Sequence, residues 1–150
     1  EGLGLGDRFV FAGFRSDVAA AFSAFDLVVF PSLWEGTPLT AFEALAMGKP
    51  IVSTDADGLL DVLQDGRDAL VVPKRDSPAL AAALHRLIDD PGLAARLAAG
   101  ARETGARYDI GAFVRKMERL YVLLHETSRA SKRQSALTAD LSFLHAGARP

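Results

Sequence analysis

Short apolar runs alternate with amphipathic stretches along the first half of the chain. The run at 27–30 is apolar without interruption, which is typical of a parallel strand covered on both faces. Helical patterns and short connections join these runs, so the sequence predicts an open, mostly parallel α/β sheet with right-handed crossovers. The predicted strands are 8–13, 27–30, 51–54 and 69–72.

Apolar positions at helical spacing fill the intervals between the strands and continue after the last strand as far as residue 124. From Ser128 the composition becomes polar and basic. We therefore expect a domain over 1–127, ending in a helical segment, and a flexible tail over 128–150. The predicted helices are 17–25, 38–47, 59–63, 79–89, 93–107 and 110–124.

Charge is unexpected in the helix predicted over 38–47. Its positions are apolar nearly all round, and Thr40 and Glu43 are the polar exceptions. Such a helix is expected to be buried, and a carboxylate carried inward on it needs partners because an unpaired buried charge is costly. A second acid, Glu35, precedes the helix. Two carboxylates at a helix start, beyond the carboxyl end of a parallel strand, predict a small-molecule site.

The start of this helix favours a phosphorylated ligand, because free N–H groups and the positive end of the helix dipole meet there. Gly36 lets a ligand approach the backbone closely, and Thr37 is a natural N-cap. Glu43 lies about 7 Å along the axis, a distance that suits the sugar hydroxyls of a bound nucleotide. Since a proline has no N–H group, the expected donors are the amides of Gly36, Thr37, Leu39 and Thr40.

Composition excludes several other classes of function. The 150 residues are 49% hydrophobic with a net charge of −2, which is enough for one domain with a core and gives no general attraction to nucleic acid. There is no cysteine, and the three histidines lie far apart, so no metal site is predicted. No apolar window is long enough to span a membrane.

We expect a cytoplasmic location, with peripheral contact to the inner face of the membrane left open. The chain starts without Met and is interpreted as a piece of a longer protein.

The segment 31–52, PSLWEGTPLTAFEALAMGKPIV, resembles the signature segment of retaining, GT-B-fold glycosyltransferases of group 1 (family four). Glu35 and Glu43 keep that family's spacing, with seven residues between them, and the similarity extends over most of 7–126. The resemblance implies a partial, Rossmann-like C-terminal GT-B domain that binds a nucleotide-diphosphate sugar. It implies that Glu43 holds the ribose and that Glu35 contacts the transferred sugar, as the candidate catalytic residue. The backbone of Gly36, Thr37, Leu39 and Thr40 would hold the diphosphate, and the loop of Gly13, Phe14 and Arg15 would lie near the base.

The resemblance also implies that transfer needs neither a metal nor a cofactor. In the family, an N-terminal acceptor-binding domain and a basic pair that grips the diphosphate precede the residues present here. We therefore expect this chain alone not to turn over. Asp57 and Gly58 stand where the family has paired glycines, and Asp61 stands at a position that holds Glu.

Simpler interpretations remain open for the same residues. Glu43 is also compatible with a salt-bridged acid at the helix edge, and Glu35 with an ordinary loop acid. Arg15 is better interpreted as a solvated surface charge than as a base contact, and Asp55 and Asp57 as turn and cap residues. The rival functions are another GT-B enzyme, such as a nucleotide-sugar epimerase or a phosphorylase-like protein, and a non-catalytic nucleotide-binding or partner module.

Overall fold

The computed structural model describes residues 4–6 and 8–141, with side chains described as far as residue 130. The chain divides into two units, 1–107 and 108–150, which are described separately. The second unit contains helix α6, Ile110–Leu141. The elements of the first unit are α1 Val18–Ser23, β1 Val28–Phe30, α2 Leu39–Ala46, β2 Ile51–Thr54, α3 Asp57–Leu60, β3 Ala69–Val72, α4 Ser77–Asp89 and α5 Pro91–Gly105.

The three strands form a parallel sheet in the order β1-β2-β3, which confirms the predicted α/β class. Val52 of β2 is in register with Val29 of β1 and with Leu70 of β3. Every residue of the central strand β2 is buried, because helices cover both faces of the sheet. Ile51 packs among residues of α1, α2 and α3, whereas Val52 packs among residues of α4 and α5. The carboxyl ends of all three strands meet at one edge.

Helix α2 is anchored against α5 by small residues. Its buried positions are Ala41, Ala44 and Leu45. A Cβ added at Gly105 of α5 would lie 2.7 Å from the backbone N of Ala46, so this glycine lets the two helices approach closely. The close packing fixes the position of α2 relative to α5.

The helix differs from the sequence prediction in two respects. It begins at Leu39, with Pro38 as its N-cap and no side-chain cap, so the prediction of Thr37 as the cap is wrong. Its outer face is exposed, and Glu43 lies on that face, so the prediction that the helix carries this carboxylate inward is also wrong. Below the helix, the half-buried Phe42 packs against the core beside the buried Ala41, Ala44 and Leu45.

The strand predicted at 8–13 is absent from the described part of the sheet. Residues 9–13 form no regular secondary structure, and the exposed rings of Phe9 and Phe11 contact each other at 4.8 Å between centroids. An apolar pattern indicates a candidate strand, but a strand also needs a neighbouring strand that completes its backbone hydrogen bonds. None of the strands described here pairs with 8–13.

Helix α6 continues through Leu141, beyond the end predicted near residue 124. Residues 125–141 contain neither glycine nor proline, so nothing in the sequence breaks the helix where its apolar periodicity ends. Residues 142–150 of the predicted tail lie outside the described residues, and the division of the chain at residue 128 stays a prediction. None of the described helices is both long and apolar enough to cross a bilayer.

Candidate functional site

The loop between β1 and α2, residues 32–37, is called the site loop below. Thr54 ends β2 and is 4% exposed, and its Oγ1 donates a 2.5 Å hydrogen bond to the carbonyl oxygen of Ser32. Ser32 Oγ in turn donates a 2.6 Å hydrogen bond to Glu35 Oε1. The end of β2 therefore fixes the start of the site loop, and the loop orients its own carboxylate.

Glu35 is half-buried at the carboxyl edge of the sheet. Its bond to Ser32 has the short length typical of a hydroxyl donating to a carboxylate. Among the described residues, no hydrogen bond or ion pair is found at Oε2. One oxygen is therefore held by the protein while the other can accept from a ligand.

The start of α2 presents backbone donors without partners. Gly36 is exposed, and a Cβ added there would meet nothing within 4 Å. The first amides of an α-helix have no intrahelical acceptor, and here the first to find one is that of Ala41, which donates to Pro38 O at 2.9 Å. An anion can approach this end of the helix along the positive end of its dipole. The amides for which no acceptor is found among the described residues are those of Gly36, Thr37, Leu39 and Thr40.

Glu43 lies one turn after Leu39 on the exposed face of α2, about 6 Å along the axis. Within the described part of the chain, no cation lies within 4.0 Å of its carboxylate and no hydrogen bond reaches it. The interpretation of Glu43 as a salt-bridged acid therefore has no support. Leu39 is 71% exposed beside it, which adds an apolar surface to the same face.

The loop of Gly13, Phe14 and Arg15 stands apart from these contacts. Gly13 adopts a φ of 66°, which favours glycine, and Phe14 is 98% exposed. Arg15 forms an exposed ion pair with Asp17, in which its Nε donates to Asp17 Oδ1 at 2.9 Å. Within the described residues, no hydrogen bond or ion pair joins this loop to Glu35 or Glu43. A role of the loop near a base stays a prediction.

Asp55 has a structural role, because its Oδ1 accepts from the backbone N of Lys74 at 2.7 Å. Ser32 and Thr54 are the site residues that sequence reasoning missed. The sequence did contain a signal for Ser32. Ser32 precedes Glu35 by three residues, which is the serine–glutamate spacing of a capping box, where the two side chains lie close together. No local pattern indicates Thr54, because its partner lies 22 residues away in sequence.

A parallel sheet with exposed helix amides and two acids at its carboxyl edge defines a Rossmann-like ligand-binding domain. The model of the family "Glycosyl transferases group 1" matches residues 1–90. The chain belongs to this family. The resemblance inferred from the segment 31–52 is confirmed, including the C-terminal GT-B domain.

Individual relatives agree with this assignment. Alpha-D-kanosaminyltransferase of Streptomyces kanamyceticus is 36% identical over 112 residues, which are 73% of this chain and 29% of that protein. Anabaena HepE in complex with UDP-glucose has a TM-score of 0.76 and 28% identity, over 80% of this chain and 34% of that one. The C-terminal domain of a group 1 family protein, LpcC, from Francisella tularensis has a TM-score of 0.64 and 27% identity, over 70% of this chain and 55% of that one. This chain thus spans about a third of the length of the full-length relatives.

Proposed function

We propose that the chain is the donor-binding domain of a retaining glycosyltransferase, which transfers a sugar from a nucleotide-diphosphate sugar to an acceptor. The observation that carries the proposal is the set of amides at the start of α2 that have no acceptor among the described residues. They lie between an oriented Glu35 and an exposed Glu43 that pairs with none of those residues. The structure of HepE in complex with UDP-glucose supports a donor of this class.

In the proposed complex the diphosphate accepts hydrogen bonds from the amides at the start of α2. Glu43 accepts from the ribose hydroxyls, and hydrogen bonds to a charged acceptor contribute about 1.5–3 kcal/mol each. The free oxygen of Glu35 faces the transferred sugar. When the bond between the anomeric carbon and the phosphate oxygen breaks, the helix end stabilises the negative charge that develops on the diphosphate. Because the helix end would supply this stabilisation together with the basic residues that precede this segment in the family, the proposal includes no metal and no cofactor.

Isothermal titration of the folded chain with UDP, GDP and ADP tests the site. We expect at least one of them to bind, and Glu43→Ala to weaken that binding about tenfold or more because two charged hydrogen bonds are lost. Glu103→Ala is the matched control, since Glu103 is an exposed glutamate on α5 whose nearest cation is Arg67 at 3.8 Å. If none of the three nucleotides gave a binding signal, the alternative of a non-catalytic partner module would be favoured. Equal losses in both variants would contradict the role of Glu43.

The reaction itself is tested on a protein that includes the acceptor domain. We expect sugar transfer only when an acceptor is present, with the anomeric configuration of the donor retained in the product by NMR. An altered or phosphorolysed sugar without acceptor would favour an epimerase or a phosphorylase-like enzyme.

A further inference from the structure

Gly58 lies directly behind the site loop. It is buried in α3, and a Cβ added to it would lie 1.8 Å from the carbonyl oxygen of Gly36 and 2.7 Å from that of Glu35. Both neighbours are backbone atoms, so neither can rotate away as the end of a side chain would. The absence of a side chain at Gly58 therefore sets how deeply the site loop sits against α3.

Local backbone conformation does not explain a glycine at this position. Gly58 is helical, within Asp57–Leu60, and does not adopt the positive φ found at Gly48 or Gly66. In a helix, alanine is favoured over glycine by about 1 kcal/mol. The contact with the site loop is therefore what requires a glycine here.

We propose that Gly58 is a positioning residue for the donor site. It allows the Glu35–Gly36 and Gly36–Thr37 peptide groups to lie at the depth where the Glu35 carboxylate and the amides of Gly36 and Thr37 face the ligand. This inference rests on the proposed function for what the ligand is, but not for the placement of the loop.

The expected displacement is large compared with the tolerance of a binding site. With alanine at position 58, the separation from Gly36 O must grow by at least about 1.6 Å to reach an ordinary van der Waals distance. The other end of the loop is held by the hydrogen bond from Thr54 to Ser32 O, so the loop cannot shift as a whole and must tilt. Misplacement of a site by about 1 Å can lower activity on the order of hundredfold.

The test compares Gly58→Ala with Gly100→Ala in the full 150-residue chain. Gly100 is also buried and helical, and a Cβ there would lie 2.0 Å from the carbonyl oxygen of Arg67, a backbone clash of similar severity elsewhere in the fold. Melting temperature and affinity for UDP, GDP and ADP are measured for both variants. Trp34 is the single tryptophan, is 73% exposed and precedes Glu35, so its emission and its quenching by acrylamide report on the loop without any ligand.

We expect Gly58→Ala to change Trp34 emission and to weaken nucleotide binding about tenfold or more. Gly100→Ala should lower the melting temperature but leave both Trp34 and the affinity near those of the wild type. Unchanged Trp34 emission and affinity in folded Gly58→Ala, or equal changes in both variants, would overturn the proposal. If the wild-type chain binds no nucleotide, the proposed function fails, and the Trp34 comparison still decides the role of Gly58.

A second measurement covers the case in which Gly58→Ala does not fold. In the wild-type chain, NMR should show nuclear Overhauser effects between the Hα atoms of Gly58 and the backbone protons of Gly36 and Thr37. Their presence supports the contact, and their absence from an otherwise assigned spectrum would overturn it.

Discussion

The substitution Ser32→Ala distinguishes binding of the transferred sugar from binding of the nucleoside diphosphate in the proposed donor. The Ser32 hydroxyl donates a 2.6 Å hydrogen bond to Glu35 Oε1, and no other described group orients that carboxylate. Hydrogen bonds to charged groups contribute about 1.5–3 kcal/mol, and we take the low end because Glu35 is half-buried. Loss of about 1.5 kcal/mol corresponds to about a tenfold change in affinity.

The assay is a titration with a nucleoside diphosphate and with the matching nucleotide-sugar. Glu35 is assigned to the transferred sugar, so Ser32→Ala should leave the affinity for the nucleoside diphosphate nearly unchanged. The affinity for the nucleotide-sugar should fall about tenfold. Melting temperature should fall by only a few degrees, because the lost bond is half-buried and no deeply buried group loses its partner.

Ser23→Ala is the matched control for the loss of a serine hydroxyl. Ser23 Oγ also makes a 2.6 Å hydrogen bond, to the neutral carbonyl oxygen of Ala20 in the exposed helix α1. This variant should bind both ligands like the wild type. If Ser32→Ala weakened the two ligands equally, Glu35 would not be oriented toward the sugar and the reasoning would be refuted.

Two further substitutions separate the site from the core. Asp68 is 1% exposed and accepts from Gln64 N at 2.7 Å and from Thr104 Oγ1 at 2.8 Å. Asp68→Ala leaves both donors unpaired and should lower the free energy of unfolding, measured by urea denaturation, by about 3–5 kcal/mol. A loss below about 1 kcal/mol would contradict this expectation. Gly36→Ala fits the ligand-free chain, since its Cβ meets nothing within 4 Å. It should therefore keep the melting temperature while weakening nucleotide binding in a calorimetric titration, and unchanged binding would show that phosphate does not approach there.

Strands 51–54 and 69–72 could be predicted to the residue, because each contains adjacent β-branched or apolar residues and ends at a polar or turn-forming segment. The segment 8–13 has a similar pattern but is unpaired in the described structure. Apolar pattern indicates which residues leave water, whereas pairing depends on a neighbouring strand that the segment itself does not encode. The prediction ended α6 too early because it followed the apolar face. A helix can continue without an apolar face when no residue breaks it.

In the candidate site, the sequence indicated both acids and the backbone donors, because all of them lie within the short segment 35–43. It did not indicate that Glu43 is exposed, since Leu39 beside it is apolar yet is not covered by any described residue. The contacts that fix the site loop join residues 22 positions apart, from Thr54 to Ser32, and from Gly58 to Gly36. Such contacts follow from the order of the strands and cannot be found by local spacing.

The exposure of Trp34, Leu39 and Glu43 indicates that this domain provides one wall of the proposed site. Closed ligand pockets bury about 70–90% of a small ligand, and a single open wall cannot do so. We therefore expect weak absolute affinity from this chain, whatever the base of the donor. Weak binding alone would not distinguish a donor domain from a surface that binds any anion. The distinguishing quantity is the ratio between ligands and variants, because a helix end that merely attracts phosphate would bind a nucleoside diphosphate and its sugar equally, with or without the Ser32 hydroxyl.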